Sequence, residues 1–301
     1  MDVIVTLPAY ADYVEDIASR DIVSAVRFNT VLPVREPLRD FLRAYAARVA
    51  PKKLWIDLKC RQLRIVHSAY VPYSYLEISH KIRVRTPVEA TFCAGTFTAI
   101  IKTVENGNRL IIEEVSPVPL GSGMSLAISD PSLVIEGYLT DRDKAYVEAA
   151  RAVGIHDYLL SYVEQEGDVT DLLALDPEAR IVAKIESKKG LDFVAGAWPK
   201  YRDRVRLMCA RGDLYHELDR PHQVLSATKR IVKADAAAVA ASRLLSSMKK
   251  SRVPDCPDLG DFGYLIEVGY RSFMLGDELC FSRDALVGAL SLIQATAADG
   301  V

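Results

Sequence analysis

Glu186 and Asp213 each close a short, almost wholly apolar run, and so do the cations Arg27 and Lys184. The two carboxylates are hard oxygen donors of the kind that suits Mg²⁺ or Mn²⁺, with water and substrate oxygens completing the shell. Cations beside such a pair suit a phosphoryl group or a developing enolate. Asn29 shares the run of Arg27, while Asp57 and Ser242 end two others. Gly212 lets a backbone approach an anion closely, and a turn opening at Asp213 and Leu214 offers amides to a carboxylate. Each pair taken alone also reads as a simple salt bridge, Lys184 with Glu186 and Arg211 with Asp213. Their joint occurrence at the ends of five runs favours chemistry, because buried charges need a partner, a metal or a ligand.

The runs that carry these residues are spaced as strands. VIVTL (3–7), IVSAVRF (22–28), KLWIDL (53–58), YLLSYV (158–163), IVAKI (181–185), VRLMCA (205–210), AAAVAA (236–241) and RSFML (271–275) make eight. Helical patterns separate them at 13–19, 36–50, 141–154, 168–175, 188–198, 220–234, 242–250 and about 261–269, with a last one at 283–297. Continuously apolar strands are buried on both faces, as in a parallel sheet. Eight βα repeats predict an α/β fold, a (β/α)₈ TIM barrel, with a doubly wound open sheet as the alternative. In such a barrel the site lies at the C-terminal strand ends, where these polar residues fall.

Residues 65–125 break the alternation. SYLEISHKIRVRT, TFTAIIKTV and RLIIEEV carry β-type patterns, and Glu105-Asn106-Gly107-Asn108 reads as a hairpin turn. The expected organisation is barrel over 1–64, an inserted small β lobe over 65–125 acting as a lid, and the rest of the barrel over 126–301.

Composition narrows the classes. The chain has 301 residues, half of them hydrophobic, with 38 basic residues against 40 acidic. A net charge of -2 gives no basic footprint for nucleic acid. The five cysteines are dispersed and form no CxxC pair, so free thiols in a reducing compartment are expected. The N-terminus lacks a basic leader, and no run approaches the roughly 18 apolar residues of a membrane span. A cytoplasmic protein is expected, without membrane or nucleic-acid partner; a homo-oligomer is left open. The five histidines are isolated, and none is assigned to zinc.

Several segments resemble the pyruvate kinase family. AKIESKKGLDF (183–193) is similar to the family's lysine-x-glutamate signature, and CARGDL (209–214) to its metal-aspartate loop. VRFNT (26–30) resembles the arginine-x-asparagine motif after strand two, IDLKCRQLR (56–64) the segment after strand three, and SRLLSSM (242–248) that after strand seven. The resemblance spans nearly the whole barrel, and the interrupting lobe falls where the family inserts its lid. It implies that Glu186 and Asp213 hold Mg²⁺ (or Mn²⁺) and that Lys184 stabilises a transferring phosphoryl group. Arg27 would contact the phosphate, while the Gly212 and Asp213 amides with the Ser242 hydroxyl would hold the substrate carboxylate. Asn29 and Asp57 would belong to a K⁺ site, and Arg64 would sit at the lid hinge.

The departures are specific. Val31 replaces a serine K⁺ ligand, Leu32 and Pro33 occupy the stretch of a nucleotide-phosphate histidine, and Gln62 replaces a glutamate linked to K⁺ dependence. Ser242 stands where threonine is usual and the lid is shortened; a chain without the family's regulatory domain is expected, and with it no control by sugar phosphates. The metal and oxo-acid half of the site is retained, and the K⁺ and nucleotide half is eroded. The implied activity is Mg²⁺-dependent phosphoryl transfer between phosphoenolpyruvate and ADP, giving pyruvate and ATP. The alternatives are a metal-dependent decarboxylase or aldolase acting on a 2-oxo acid through an enolate, and a non-catalytic metabolite-binding relative.

Overall fold

The computed structural model describes residues 1–69, 75–112, 117 and 119–299. Eight strands form a closed barrel: β1 (Asp2–Thr6), β2 (Val23–Asn29), β3 (Lys53–Leu58), β4 (Asp157–Leu160), β5 (Arg180–Ile185), β6 (Val205–Ala210), β7 (Val239–Ala241) and β8 (Ser272–Met274). Neighbours pair in parallel around the ring, and β1 lies between β2 and β8, which closes it. The expected (β/α)₈ barrel is thus the fold, and the open sheet is not.

The barrel interior is a layer to which every strand contributes. Ile4, Ala25, Trp55, Leu159, Val182, Met208, Val239, Ala241 and Met274 pack together there. Side chains two apart on a strand share a face. One step further along the same inward rows stand Thr6, Arg27, Asp57 and Lys184. The apolar layer therefore floors a polar one at the C-terminal strand ends, and all four of those polar side chains are buried.

Helices lie between and after the strands: α1 (Val14–Ala18), α2 (Leu38–Val49), α3 (Asp141–Arg151), α4 (Glu166–Leu175), α5 (Lys188–Gly196), α6 (Arg211–Glu217), α7 (Gln223–Ala234), α8 (Cys256–Glu267), α9 (Asp277–Cys280) and α10 (Arg283–Ala298). Two of them start where the chemistry ends. Ser187 follows Glu186 directly, and its Oγ accepts from the Gly190 N–H at 3.1 Å, an N-cap that begins α5. Helix α6 begins at once after β6 and carries Gly212 and Asp213 in its first turn.

Three expected elements are shorter or absent, two of them beside left-handed residues. Strand β4 stops at Leu160 rather than 163, and Tyr162 takes a left-handed φ of 50°. The helix expected over 242–250 does not form, because Ser242, Arg243 and Leu245 have φ of 71°, 59° and 49°. L-residues do not propagate a helix in that region, so the chain makes only a 3₁₀ turn at Ser246–Lys249. Strand β7 keeps its expected end at Ala241 but starts at Val239, so it is three residues, not six.

The chain divides into two compact units, Met1–Leu58 with Lys144–Val301, and Lys59–Asp143. The second is wider than the 65–125 expected from pattern. Asp143 accepts from the Lys59 and Cys60 N–H groups at 2.9 and 3.1 Å, and from the Thr140 N–H at 2.9 Å, so both chain crossings are tied within it. Ile82–Arg83 also pairs with Val134–Ile135, beyond the boundary that alternation suggested. Its larger sheet has six antiparallel strands over a core that includes Ile65, Leu76, Phe92, Ile101 and Leu110. Phe97–Glu105 and Arg109–Ile112 form the hairpin, with left-handed Asn106 and Gly107 in its turn. The remainder of RLIIEEV, 113–115, and Ser74 of the first pattern lie outside the described residues. Among those described, no helix is long and apolar enough to cross a membrane.

Met208 is fully buried in the interior layer. Met208→Ala is expected to lower unfolding stability by about 2–5 kcal/mol through lost burial and a residual cavity. Urea titration followed by circular dichroism checks it; a midpoint equal to that of the parent would remove Met208 from the packed floor.

Candidate active site

The polar layer is built around Asp57, a side chain with no solvent exposure at the end of β3. Arg27 Nε donates to Asp57 Oδ2 at 2.8 Å, and Nη2 donates to the same oxygen. Lys184 Nζ stands 3.1 Å from Asp57 Oδ1 and 3.5 Å from Glu186 Oε1. The β2–β3 register sets Asn29 beside Asp57, so both cations reach the carboxylate from nearby strands. Arg27 Nη1 also donates to Thr6 Oγ1 at 2.8 Å and to Asp277 at the start of α9. Asn29 Nδ2 donates to the other Asp277 oxygen at 2.6 Å.

Burial opposes the charge on Arg27, but Asp277 and Asp57 outweigh it and hold the guanidinium firmly protonated. Burial likewise opposes the charge on Lys184; Asp57 and Glu186 offset it, so its pKa lies above the usual lysine value. Glu186 behaves in the opposite way. Burial pushes its carboxyl up to about 7, Lys184 restrains the rise, and Asp213 adds to it. The Tyr162 N–H donates to Glu186 Oε2 at 2.7 Å and also favours the ionised form.

Further acids surround this point. Burial lifts Glu217 to about 7, with Glu164 and Asp213 adding to the rise and Lys189 opposing it. The Tyr162 hydroxyl is raised well above its ordinary value by burial and by Asp213, Glu217, Glu186 and Glu164. Glu164 accepts from Ser187 Oγ at 2.6 Å. Negative charge thus accumulates between the ends of β4, β5 and β6, and that accumulation is what a divalent cation would relieve. Among the described residues no three His, Cys, Asp or Glu groups converge as a ready cage. Glu186 and Asp213 fit an ion whose shell water and substrate oxygens complete, which is the usual habit of Mg²⁺.

The residues expected to hold a carboxylate meet at the ends of β6 and β7. A Cβ on Gly212 would lie 3.2 Å from Ser242 Cβ and 3.4 Å from its Oγ, so glycine leaves room for the Ser242 side chain to lie close. Arg211 pairs with Asp261 of α8 at 2.5 and 2.8 Å, not with Asp213 as sequence proximity suggested. It also donates to the Ser242 carbonyl at 3.1 Å, which steadies the left-handed turn. His216 contacts Arg243 at 3.2 Å. Of the residues after β3, Arg61 stacks on Tyr138 and Arg64 donates to the Gly123 carbonyl at 2.5 Å, both within the second unit.

The sequence reading missed Thr6, Glu164, Glu217 and Asp277. Thr6 was accessible as the inward row of β1, two residues past Ile4. Glu217 was accessible too, being four residues after Asp213 on one helix and so on its face. Nothing local marks Asp277, whose partner Arg27 is 250 residues away.

A carboxyl whose folded pKa is raised binds more protons folded than unfolded, so stability falls as pH rises from the ordinary carboxyl range through the raised value. For Glu186 that window ends at about 7. Glu186→Gln is expected to flatten this part of the stability profile. Thermal melts of parent and variant across that window, in chelator, check it; parallel profiles would mean that Glu186 titrates normally.

Comparison with known proteins gives this geometry its lineage. Residues 58–281 match the family model for the pyruvate kinase barrel domain. Among curated proteins, the chain is 24% identical over 184 residues to a pyruvate kinase of Borreliella burgdorferi, covering 58% of this chain and 38% of that protein. It is 31% identical over 165 residues to a pyruvate kinase of Thermoplasma acidophilum, covering 52% of this chain and 30% of that protein. The matches therefore span about a third of each relative's length. The family match extends over most of the chain, from the end of β3 past α9, and contains Lys184, Glu186, Gly212, Asp213 and Ser242. On that ground the chain belongs to the pyruvate kinase family.

Proposed function

We propose that this protein transfers a phosphoryl group between phosphoenolpyruvate and ADP, with Glu186 and Asp213 holding a divalent metal. The observation that carries the reading is Lys184, a fully charged buried ammonium between Asp57 and Glu186 at the mouth of the barrel. An ammonium already set between two carboxylates is preorganised, so it would stabilise developing charge with little reorganisation. Mg²⁺ or Mn²⁺, when bound, would supply positive charge for substrate oxygens. Phosphoryl transfer asks a protein mainly for positioning and cationic stabilisation, and this site offers both.

The other roles follow from placement. The Gly212 and Asp213 amides lie in the first turn of α6, and the Ser242 side chain lies against Gly212. A substrate carboxylate set there would receive N–H and O–H donors from two strand ends. Asp57 orients Arg27 through Nε and Nη2, while Thr6 and Asp277 share its Nη1. A phosphate that reaches Arg27 must share it with Asp277, which is only part-buried and lies on a four-residue helix.

That same engagement of Arg27 favours a second reading. A metal-dependent lyase acting on a 2-oxo acid needs a metal, a carboxylate pocket and a cation for the enolate, and needs no phosphate contact. Lys184 serves that chemistry equally.

Phosphorus NMR of phosphoenolpyruvate, ADP and Mg²⁺ with the purified protein separates the two: growth of the ATP γ-phosphate resonance is expected, and its persistent absence would overturn phosphoryl transfer in favour of oxo-acid cleavage. Lys184→Met is expected to lower turnover by about 10²–10³-fold while Mg²⁺ binding persists, as for loss of a preorganised electrostatic group. Glu186→Gln and Asp213→Asn are expected to abolish calorimetric Mg²⁺ binding; unchanged binding in both would sink the metal assignment.

A further inference from the structure

The family resemblance implies a monovalent cation beside Asn29 and Asp57, and the residues there do not fit one. We infer that the chain's own cations, Arg27 and Lys184, take that place, with Asp277 as a second anchoring carboxylate, and that the protein binds no potassium there.

The donor atoms make the case. Asp57 offers one oxygen to two nitrogens of Arg27 and has Lys184 3.1 Å from the other. Its main-chain carbonyl accepts from Thr30 Oγ1 at 2.9 Å. Asn29 presents its amide nitrogen to Asp277 at 2.6 Å, which turns its oxygen toward the Val31 N–H at 3.2 Å. An alkali cation needs the oxygen, and the direction of the Asp277 contact commits the amide the other way. Thr6, the nearby hydroxyl on β1, accepts from Arg27. Position 31, where a further hydroxyl ligand would stand, is valine.

Charge points the same way. Asp57 and Asp277 face Arg27, while Asp57 and Glu186 face Lys184. Arg27 is 7% exposed, Lys184 5% and Asp57 0%. The carboxylates are already matched by cations of the chain. A third cation inserted against Asp57 would have to displace one of them and leave it buried without its partner, which is strongly unfavourable. The Asp277 contact to both Arg27 and Asn29 is what holds this arrangement closed, because it comes from α9 and is independent of the β2–β3 register.

Thallium(I) NMR on the whole chain, with thallium as the spectroscopic stand-in for potassium, tests this directly. A parallel thermal melt in potassium chloride against tetramethylammonium chloride, at matched ionic strength, gives a second readout. The expected result is no saturable bound-thallium resonance and one common unfolding midpoint in the two salts. A saturable resonance that potassium competes away and that Asp57→Asn removes would overturn the inference; Asn29→Ala replaces that variant if it fails to fold. A potassium-specific rise in midpoint that these variants abolish would overturn it as well. A resonance that survives them belongs to another place and leaves the inference standing. Neither readout involves turnover, so a failure to find phosphoryl transfer and a failure of this inference are separate outcomes.

Discussion

A carboxylate with no solvent exposure, Asp57, joins two buried cations at the mouth of the barrel, and the site's arrangement follows from that junction. Removing such a charge from water costs several kcal/mol, which only close opposite charges and hydrogen bonds repay. Arg27 and Lys184 supply them from β2 and β5, on either side of β3. The junction therefore fixes the rotamers of two cations at once. A site that must meet a doubly or triply charged anion gains from that, because its positive groups are set before the ligand arrives.

The acids on the other side answer a different demand. Asp57 has two cations set against it, whereas the buried Glu186 and the half-buried Glu217 stand near like charges, and their carboxyls are raised to about 7. The contrast separates the two halves of the site by electrostatics: a neutralised half around Asp57, and an anionic half between β4 and β6 awaiting positive charge. Left-handed residues stand at two of the strand exits. Tyr162 ends β4 with its N–H on Glu186, and Ser242 ends β7 against Gly212. Non-glycine residues at positive φ carry a conformational cost that surrounding structure must impose, and here they lie at the strand exits that form the site.

Much of this was legible from residue order. Apolar runs of strand length alternating with helical periods called for a parallel barrel, and the polar residue ending each run placed the chemistry at one rim. Arg27, Asp57, Lys184 and Glu186 were singled out on that ground and form a chain of contacts, Arg27 to Asp57 to Lys184 to Glu186. Other readings failed where local pattern and backbone conformation part company. Residues 242–250 have helical composition, yet three left-handed residues prevent the helix. Arg211 and Asp213 are two apart in sequence, but Arg211 turns to Asp261.

The sequence determined which segments become strands and which polar residues stand at their ends, because burial and periodicity are properties of a few consecutive residues. Tertiary structure alone decided the partners. Closure of the ring between β1 and β8 carries Asp277 to Arg27 and Asn29 across some 250 positions, and no local signal encodes that meeting. The boundary of the second unit was decided in the same way, by Asp143 binding Lys59 and Cys60 more than 80 positions earlier. Hydrogen bonds and ion pairs act over a few ångströms of space irrespective of chain distance, so the fold must form before they choose their partners.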